Sequence, residues 1–207
     1  MAETIHPSLD DLAYVRQVAE SGARAPLLGG RFMAWWGLLV ASAYTLHHFA
    51  LAGEIGDGRT VFPVIWVGFA VAGLAGQFAL ARTMPDKAGA GSAGNRASRS
   101  AWVAAACAIG SVVAGAAVAA TTGAGPATFD WSVPVAFSVY ACALIVTGSL
   151  AGDRMTKLAG GGAIAVAGIF TAFILSPERY LIAAAGAALT VMLPGLLLLR
   201  AEPHAQG

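Results

Sequence analysis

Residues 180–199 read YLIAAAGAALTVMLPGLLLL, a run without a single Asp, Glu, Lys or Arg. A helix rises about 1.5 Å per residue, so roughly 20 residues cross the ~30 Å hydrocarbon core of a bilayer. A water-soluble helix would place charge on its wet face within two turns. This stretch therefore predicts a helix that spans a membrane.

Five further stretches have the same character: Phe32–Gly53, Thr60–Ala81, Ser100–Phe129, Trp131–Gly152 and Leu158–Pro177. Within the six we expect spans at residues 32–52, 61–81, 101–121, 131–151, 158–175 and 181–199. Charged residues make up 11% of the chain, whereas soluble domains carry roughly 25%. The predicted fold class is an all-α integral membrane protein. Its six transmembrane helices, joined mostly by short loops, are expected to form three antiparallel hairpins.

The basic residues predict an orientation. With the N-terminus inside, ten of the twelve Lys and Arg residues fall on the inner side, and only Arg59 and Arg179 fall in outer loops. The positive-inside rule then places both termini in the cytoplasm. Residues 1–30 lack the apolar core of a signal peptide, so we expect span one to direct insertion. The expected compartment is a bacterial inner membrane.

Two segments are expected to flank the membrane domain of residues 31–200, and one loop is expected to leave the membrane within it. In the N-terminal segment, residues 1–30, Ser8-Leu9-Asp10-Asp11 matches a helix capping box. It predicts a short cytoplasmic amphipathic helix at residues 8–21, whose net acidic charge favours contact with the bundle or a protein partner over anionic lipid. Residues 82–100 form a Gly-rich basic stretch, expected to be a flexible loop. Residues 201–207 form a cytoplasmic tail.

Small residues are expected to hold the bundle together, because lipid removes the hydrophobic drive between helices and close backbone approach must replace it. Spans three and five have few bulky side chains, so we expect them at the centre. Gly115→Leu is expected to push helices apart. The residues selected for helix packing are Gly68, Gly76, Ser111, Gly115, Gly162 and Gly168. We expect Pro194 and the Gly160–Gly162 run to be the likeliest breaks in the spans.

A polar cluster of Tyr44, His47 and His48 near the outer end of span one is the candidate functional site. Neighbouring helical residues point about 100° apart, so the two imidazoles cannot hold one metal ion or haem from the same face. His48 is expected to share a face with Tyr44, one turn earlier. An interfacial hydrogen-bonding pair is favoured, with proton sensing, a metal site and haem binding as the alternatives.

The remaining polar residues in the spans favour structural roles. Cys107 and Cys142 are expected to fill helix contacts as small apolar residues, with a redox pair as the alternative. Hydrogen bonds between helices are expected from Gln77, Ser138, Thr147 and Ser149. The sequence has no phosphate-binding loop and no HExxH zinc motif. It therefore predicts no catalytic, cofactor or metal site, and no nucleic-acid partner.

These features favour a non-enzymatic accessory or regulatory interaction subunit, with the lipid bilayer as its surroundings. A protein partner would bind through the N-terminal helix and the basic loop at residues 82–100, and a homo-oligomer is also compatible. The alternative is a small permease for an apolar or uncharged solute, because glycine-rich helices could enclose a path without buried charge. A permease should show a polar-lined cavity near Ser138, Thr147 or Gln77. A membrane enzyme ranks third, for want of a base, metal cluster or nucleophile.

Overall fold

A computed structural model describes residues 28–83 and 91–201, and within these ranges the chain is all-helical, without strands. The helices are α1 Gly30–Leu51, α2 Gly58–Ala81, α3 Ala93–Ala119, α4 Ser132–Leu150, α5 Arg154–Ala172, α6 Arg179–Ala187 and α7 Leu193–Ala201. A π-turn, Ala120–Ala124, extends α3, and another, Ala188–Met192, joins α6 to α7. A 3-10 helix, Pro126–Trp131, precedes α4. The helix predicted at residues 8–21 lies outside the described residues.

In the part of the chain that the structure describes, five helical segments are long and apolar enough to cross a membrane: Thr60–Ala81, Ala93–Ala124, Pro126–Leu150, Arg154–Ala172 and Arg179–Arg200. They coincide with predicted spans two to six, with ends that differ by a few residues except at the start of α3. Many of their large apolar side chains face outward, among them Val64, Val71 and Phe78 of α2. This exterior suits lipid, because in water such a continuous apolar surface would be unfavourable.

Helix α1 differs from these five in composition. Its 22 residues would reach about 33 Å, enough to cross the hydrocarbon core. However, two tryptophans, a tyrosine and two histidines lower its mean hydropathy, and it is not among the five. Since α1 also packs against α2, α6 and α7, it has less need of a lipid-facing surface.

Helix α3 begins at Ala93, inside the stretch predicted to be a flexible loop. The Ser92 hydroxyl caps the helix by accepting a hydrogen bond from the Asn95 backbone N–H, at 3.2 Å. The Asn95 side-chain oxygen accepts a second bond from the Leu28 N–H, at 3.1 Å. These bonds attach the first turn of α3 to the start of α1 and extend the helix eight residues before the predicted start of span three.

The core of the bundle lies among α1, α4, α5 and α6, where its largest fully buried side chains include Phe137, Leu144 and Phe170. The prediction that span three is central is wrong. Only 11% of the span at Ala93–Ala124 is buried, against 44% of those at Pro126–Leu150 and Arg179–Arg200. Helix α3 packs against α4 and the 3-10 helix, and its small side chains mostly face outward.

Pro194 follows directly on an irregular turn, as expected. A proline has no backbone N–H to donate to the carbonyl four residues earlier, and here the preceding turn widens into the π-turn Ala188–Met192. The Thr190 hydroxyl donates to the Gly186 carbonyl at 2.7 Å within this region. By contrast, α5 runs unbroken through Gly160–Gly162, so these glycines are tolerated within a regular helix.

Asp153 caps α5 and makes the stability of this helix depend on pH. Its carboxylate accepts hydrogen bonds from the Thr156 N–H at 2.9 Å and the Met155 N–H at 3.3 Å, and from the Thr156 hydroxyl. Burial alone would raise the pKa of Asp153, but these hydrogen bonds hold that pKa below its usual value. The carboxylate therefore stabilises the folded state above about pH 4.

We expect Asp153→Ala to lower the free energy of unfolding by about 1 kcal/mol at pH 7, because the first turn of α5 loses its cap. The difference from the parent protein should shrink as the pH falls below about 4, since the protonated carboxyl no longer accepts these bonds as strongly. Unfolding in mild detergent at several pH values measures this. A difference that is constant with pH would contradict the capping role.

Candidate functional site

The candidate site lies where the C-terminal half of α1 meets α2 and α6. Tyr44 and His47 are three residues apart on α1, so they project from nearly the same face. Both side chains contact Trp66 of α2 and Tyr180 of α6, and His47 also contacts Phe62. The helical repeat of α1 therefore brings the two predicted residues into one aromatic cluster.

His47 is enclosed by three aromatic rings. Its imidazole stacks on Phe62 with centroids 4.3 Å apart and lies 4.1 Å from the ring of Tyr180. The Trp66 indole Nε1–H donates a hydrogen bond to His47 Nδ1 at 3.0 Å. Because indole N–H is only a donor, Nδ1 must be the unprotonated nitrogen, and the neutral ring carries its proton on Nε2.

Tyr44, like Tyr180, is a buried residue of the cluster. Its ring meets Trp66 edge-on, with centroids 5.5 Å apart, and lies 5.9 Å from Tyr180. Edge-to-face contacts of this kind add roughly 0.5–1.5 kcal/mol beyond the area that they bury. Tyr44 thus helps to join α1, α2 and α6 through ring packing.

His48 follows Tyr44 by one turn of α1, the spacing of a shared face, but the ring of Tyr44 packs on Trp66 and Tyr180, whereas that of His48 lies beside Phe49. The Nδ1 of His48 lies 3.2 Å from the Pro177 carbonyl oxygen, so Nδ1 carries the proton and donates. With Leu51, Ala52, Pro177 and Arg179, His48 lines a cavity of about 240 Å³. Within the cluster, Tyr44 and His47 both contact Trp66 and Tyr180.

The sequence analysis missed an ion pair beside this cluster. Asp130 of the 3-10 helix accepts a hydrogen bond from the Tyr180 hydroxyl and pairs with Arg179 at 3.4 Å. The Asp130 and Arg179 side chains are only 16% and 18% exposed. Both charged groups are therefore largely shielded from the surroundings at this end of the bundle.

Arg179 has further contacts that hold the pair in place. Its guanidinium lies 5.0 Å from the centre of the Tyr180 ring and donates to the Ser176 carbonyl at 3.1 Å. Glu178, next in the chain and exposed, accepts a hydrogen bond from the Ser176 hydroxyl, which lowers the Glu178 pKa. Asp130 separates two long charge-free stretches, and Arg179 precedes the last one. These positions, at the borders of charge-free stretches, are the sequence feature that points to the ion pair.

The contacts of the cluster hold neighbouring helices together. Hydrogen bonds and ring contacts connect α1, α2, α6 and the 3-10 helix through His47, Trp66, Tyr180 and Asp130. The Nδ1 lone pair of His47 is occupied by Trp66. Among residues 28–83 and 91–201, no group of three or more His, Cys, Asp or Glu side chains could hold a metal ion.

The residues selected for helix packing divide into two groups. A Cβ atom at Gly76 would collide with the Trp35 indole, and one at Gly162 would lie 3.2 Å from Thr190. A Cβ at any of the other three glycines would meet nothing within 4 Å; these are Gly68, Gly115 and Gly168. The side chain of Ser111 is exposed. Within the described chain these four positions make no close helix contact.

The closest helix crossings lie at glycines that the sequence analysis did not select. A Cβ at Gly30 would lie 2.6 Å from the Leu199 backbone nitrogen. Cβ atoms at Gly37 and Gly195 would collide with the backbone of Met192 and of Ala34. Helix α1 therefore crosses the π-turn and α7 with backbones in contact, which is possible only where side chains are absent.

Other predicted polar residues are distributed as follows. Gln77 accepts from the Trp36 indole at 2.9 Å, and Thr147 bonds with Ser98 at 3.0 Å, so both link neighbouring helices. The Ser138 hydroxyl donates to the Pro134 carbonyl of its own helix. Ser149 is exposed.

The two cysteines do not fill helix contacts, contrary to the prediction. Cys107 and Cys142 are both free and exposed. Each lies on the outward face of its helix, because the faces of α3 and α4 that meet are lined by other residues, including Ala105 and Ala141.

Comparison of the chain with protein-family models, with curated proteins and with solved structures gave no match. A function is therefore inferred from the arrangement of the chain's own residues.

Proposed function

We propose that this chain is a six-span inner-membrane protein, with both termini in the cytoplasm, that acts as a non-enzymatic accessory or regulatory interaction subunit. Five apolar helices and a sixth of sufficient length support the span count. The ten-to-two division of basic residues supports the orientation.

The observation that carries the interaction role is the pairing of polar side chains inside the bundle. Gln77 is bonded to Trp36, Thr147 to Ser98 and His47 to Trp66. Each pair joins two helices and satisfies groups that would otherwise be costly in lipid. With these groups committed to holding the bundle, the outer surfaces and the cytoplasmic segments are what the protein offers to other molecules.

The permease alternative is less favoured for the same reason. The polar residues expected to line a solute path, Gln77 and Thr147, are paired between helices, and Ser138 is bonded to its own backbone. The cavity beside His48 is the observation that speaks for a permease, but its lining residues belong to the ends of helices. A solute flux into proteoliposomes that requires Thr147 would favour this alternative.

Co-purification tests the interaction role. We expect the full chain, extracted in mild detergent from its native membrane, to bring a distinct protein with it at a constant ratio. Deletion of residues 1–24 should reduce this recovery at least tenfold, since it removes the predicted partner-binding helix at residues 8–21. A matched deletion of the short tail, residues 203–207, is the control. A solitary particle that is unchanged by the N-terminal deletion would overturn the proposal.

Reporter fusions test the orientation separately. Fusions after residue 30, within residues 84–90 and after residue 201 should all report the cytoplasm, and fusions near Gly56 and Ser176 should report the opposite side. Opposite sidedness of the two termini would contradict an even number of spans.

A further inference from the structure

Helix α2 is the least enclosed of the five apolar segments, with 6% of its span buried. It packs against α1, and polar bonds connect the two helices at both ends. At the end that carries Thr83, Arg31 bonds to the Thr83 hydroxyl at 2.5 Å and Trp36 bonds to Gln77. At the other end, the polar bond is the one between Trp66 and His47.

The bond between Trp66 and His47 depends on the protonation state of the imidazole. Trp66 can only donate, so the bond requires a lone pair on His47 Nδ1. A proton added to Nδ1 turns this acceptor into a donor and sets two N–H groups against each other. The acceptors at the opposite end, Gln77 and Thr83, do not titrate.

We propose that the hydrogen bond from Trp66 to His47 is a pH-sensitive latch, which holds the outer half of α2 on α1 while His47 is neutral and releases it on protonation. The end of α2 that carries Gln77 and Thr83 remains attached and acts as the fixed point of the movement. The latch goes beyond the proposed interaction role and stands whichever partner the protein has.

The charged and titratable groups around His47 determine which side of the site attracts the protonated ring. Asp130 of the 3-10 helix attracts an imidazolium at His47, and Arg179 of α6 opposes it. Tyr180 of α6 faces the ring, Tyr44 of α1 packs on Tyr180 beside it, and α2 presents the uncharged rings of Phe62 and Trp66. A protonated ring loses its bond to α2, while Asp130 still attracts it from the side of the 3-10 helix and α6.

His48 supplies a matched control on the same helix. Its Nδ1–H donates to the Pro177 carbonyl, and an imidazolium retains this donor. Protonation therefore breaks the bond at His47 but leaves the bond at His48 in place.

The test follows the indole N–H signals of the full-length protein by NMR in lipid nanodiscs between about pH 8 and pH 4. The Trp66 signal is assigned by its absence in Trp66→Phe. We expect its proton shift to move upfield in acid as the hydrogen bond is lost. His47→Gln should abolish the titration, because the amide oxygen accepts at every pH, whereas His48→Gln should retain it. A Trp66 signal that does not titrate, or one that still titrates in His47→Gln, would overturn the latch.

A distance measurement tests the movement itself. In a Cys107→Ala, Cys142→Ala background, spin labels at Thr60→Cys on α2 and Leu175→Cys before α6 report the separation of the outer ends. We expect a broader and longer distance distribution at acid pH, reversible on return to neutral pH and absent in His47→Gln. A distribution that is the same at both pH values would contradict release of α2 even if the Trp66 signal titrates.

Discussion

Gly37→Leu should lower the melting temperature of the detergent-solubilised protein by about 6–12 °C. A Cβ at Gly37 collides with the backbone of Met192, which no side-chain rotation can relieve. Overpacking costs roughly 1–3 kcal/mol, and a leucine against backbone belongs at the upper end. In a soluble chain of this size, each kcal/mol corresponds to about 2–4 °C.

Gly115→Leu is the matched control for Gly37→Leu. It makes the same chemical change inside another apolar helix, at a position where a Cβ meets nothing within 4 Å. We expect unchanged stability or a gain of up to about 1 kcal/mol, because leucine is the better helix former. This reverses the expectation from sequence that Gly115→Leu separates helices.

Two outcomes of the comparison between Gly37→Leu and Gly115→Leu would contradict these expectations. If both melt at the parental temperature, α1 does not cross the turn at Met192 with backbones in contact. If Gly115→Leu is the less stable variant, α3 packs against something outside the described chain. A change in particle size of Gly115→Leu on gel filtration would then identify a second copy, as the homo-oligomer hypothesis requires.

Asp130→Asn should lower the free energy of unfolding by about 2–3 kcal/mol. The carboxylate pairs with Arg179 and accepts from the Tyr180 hydroxyl. Removing one partner of an enclosed ion pair leaves the other charge uncompensated, which costs roughly 3–5 kcal/mol when burial is complete. The residual exposure of both side chains, 16% and 18%, reduces the expected loss.

Unfolding in graded SDS in mixed micelles measures the effect of Asp130→Asn. Glu54→Gln, at an exposed acidic residue in the loop between α1 and α2, is the control and should change the stability by less than about 0.5 kcal/mol. Tyr180→Phe should lower the free energy of unfolding by about 1 kcal/mol. The loss should be smaller in the Asp130→Asn background. Equal stability of Asp130→Asn and Glu54→Gln would contradict the enclosed pair.

The candidate site was partly predictable. Tyr44 and His47 stand out in the sequence because they are polar residues near the end of an apolar helix, although the sequence analysis grouped Tyr44 with His48 on one face and did not predict its shared contacts with His47. Trp66 carries no such signal, since a tryptophan in a span is ordinary. Its bond to His47 exists only because α2 packs against α1 at one particular rotation.

The charge-free runs by themselves determined that this chain is helical and where five apolar helices lie, because helix formation in lipid follows from local composition. The rotation of each helix about its axis does not follow from local composition, since it depends on the side chains of neighbours far away in the sequence. Gly37 and Gly115 are both glycines inside charge-free apolar helices, yet one lies against a backbone and the other faces outward. Only the tertiary structure decided between them, and it likewise brought Asp130 to Tyr180, 50 residues away, because such contacts depend on helix packing and not on the sequence nearby.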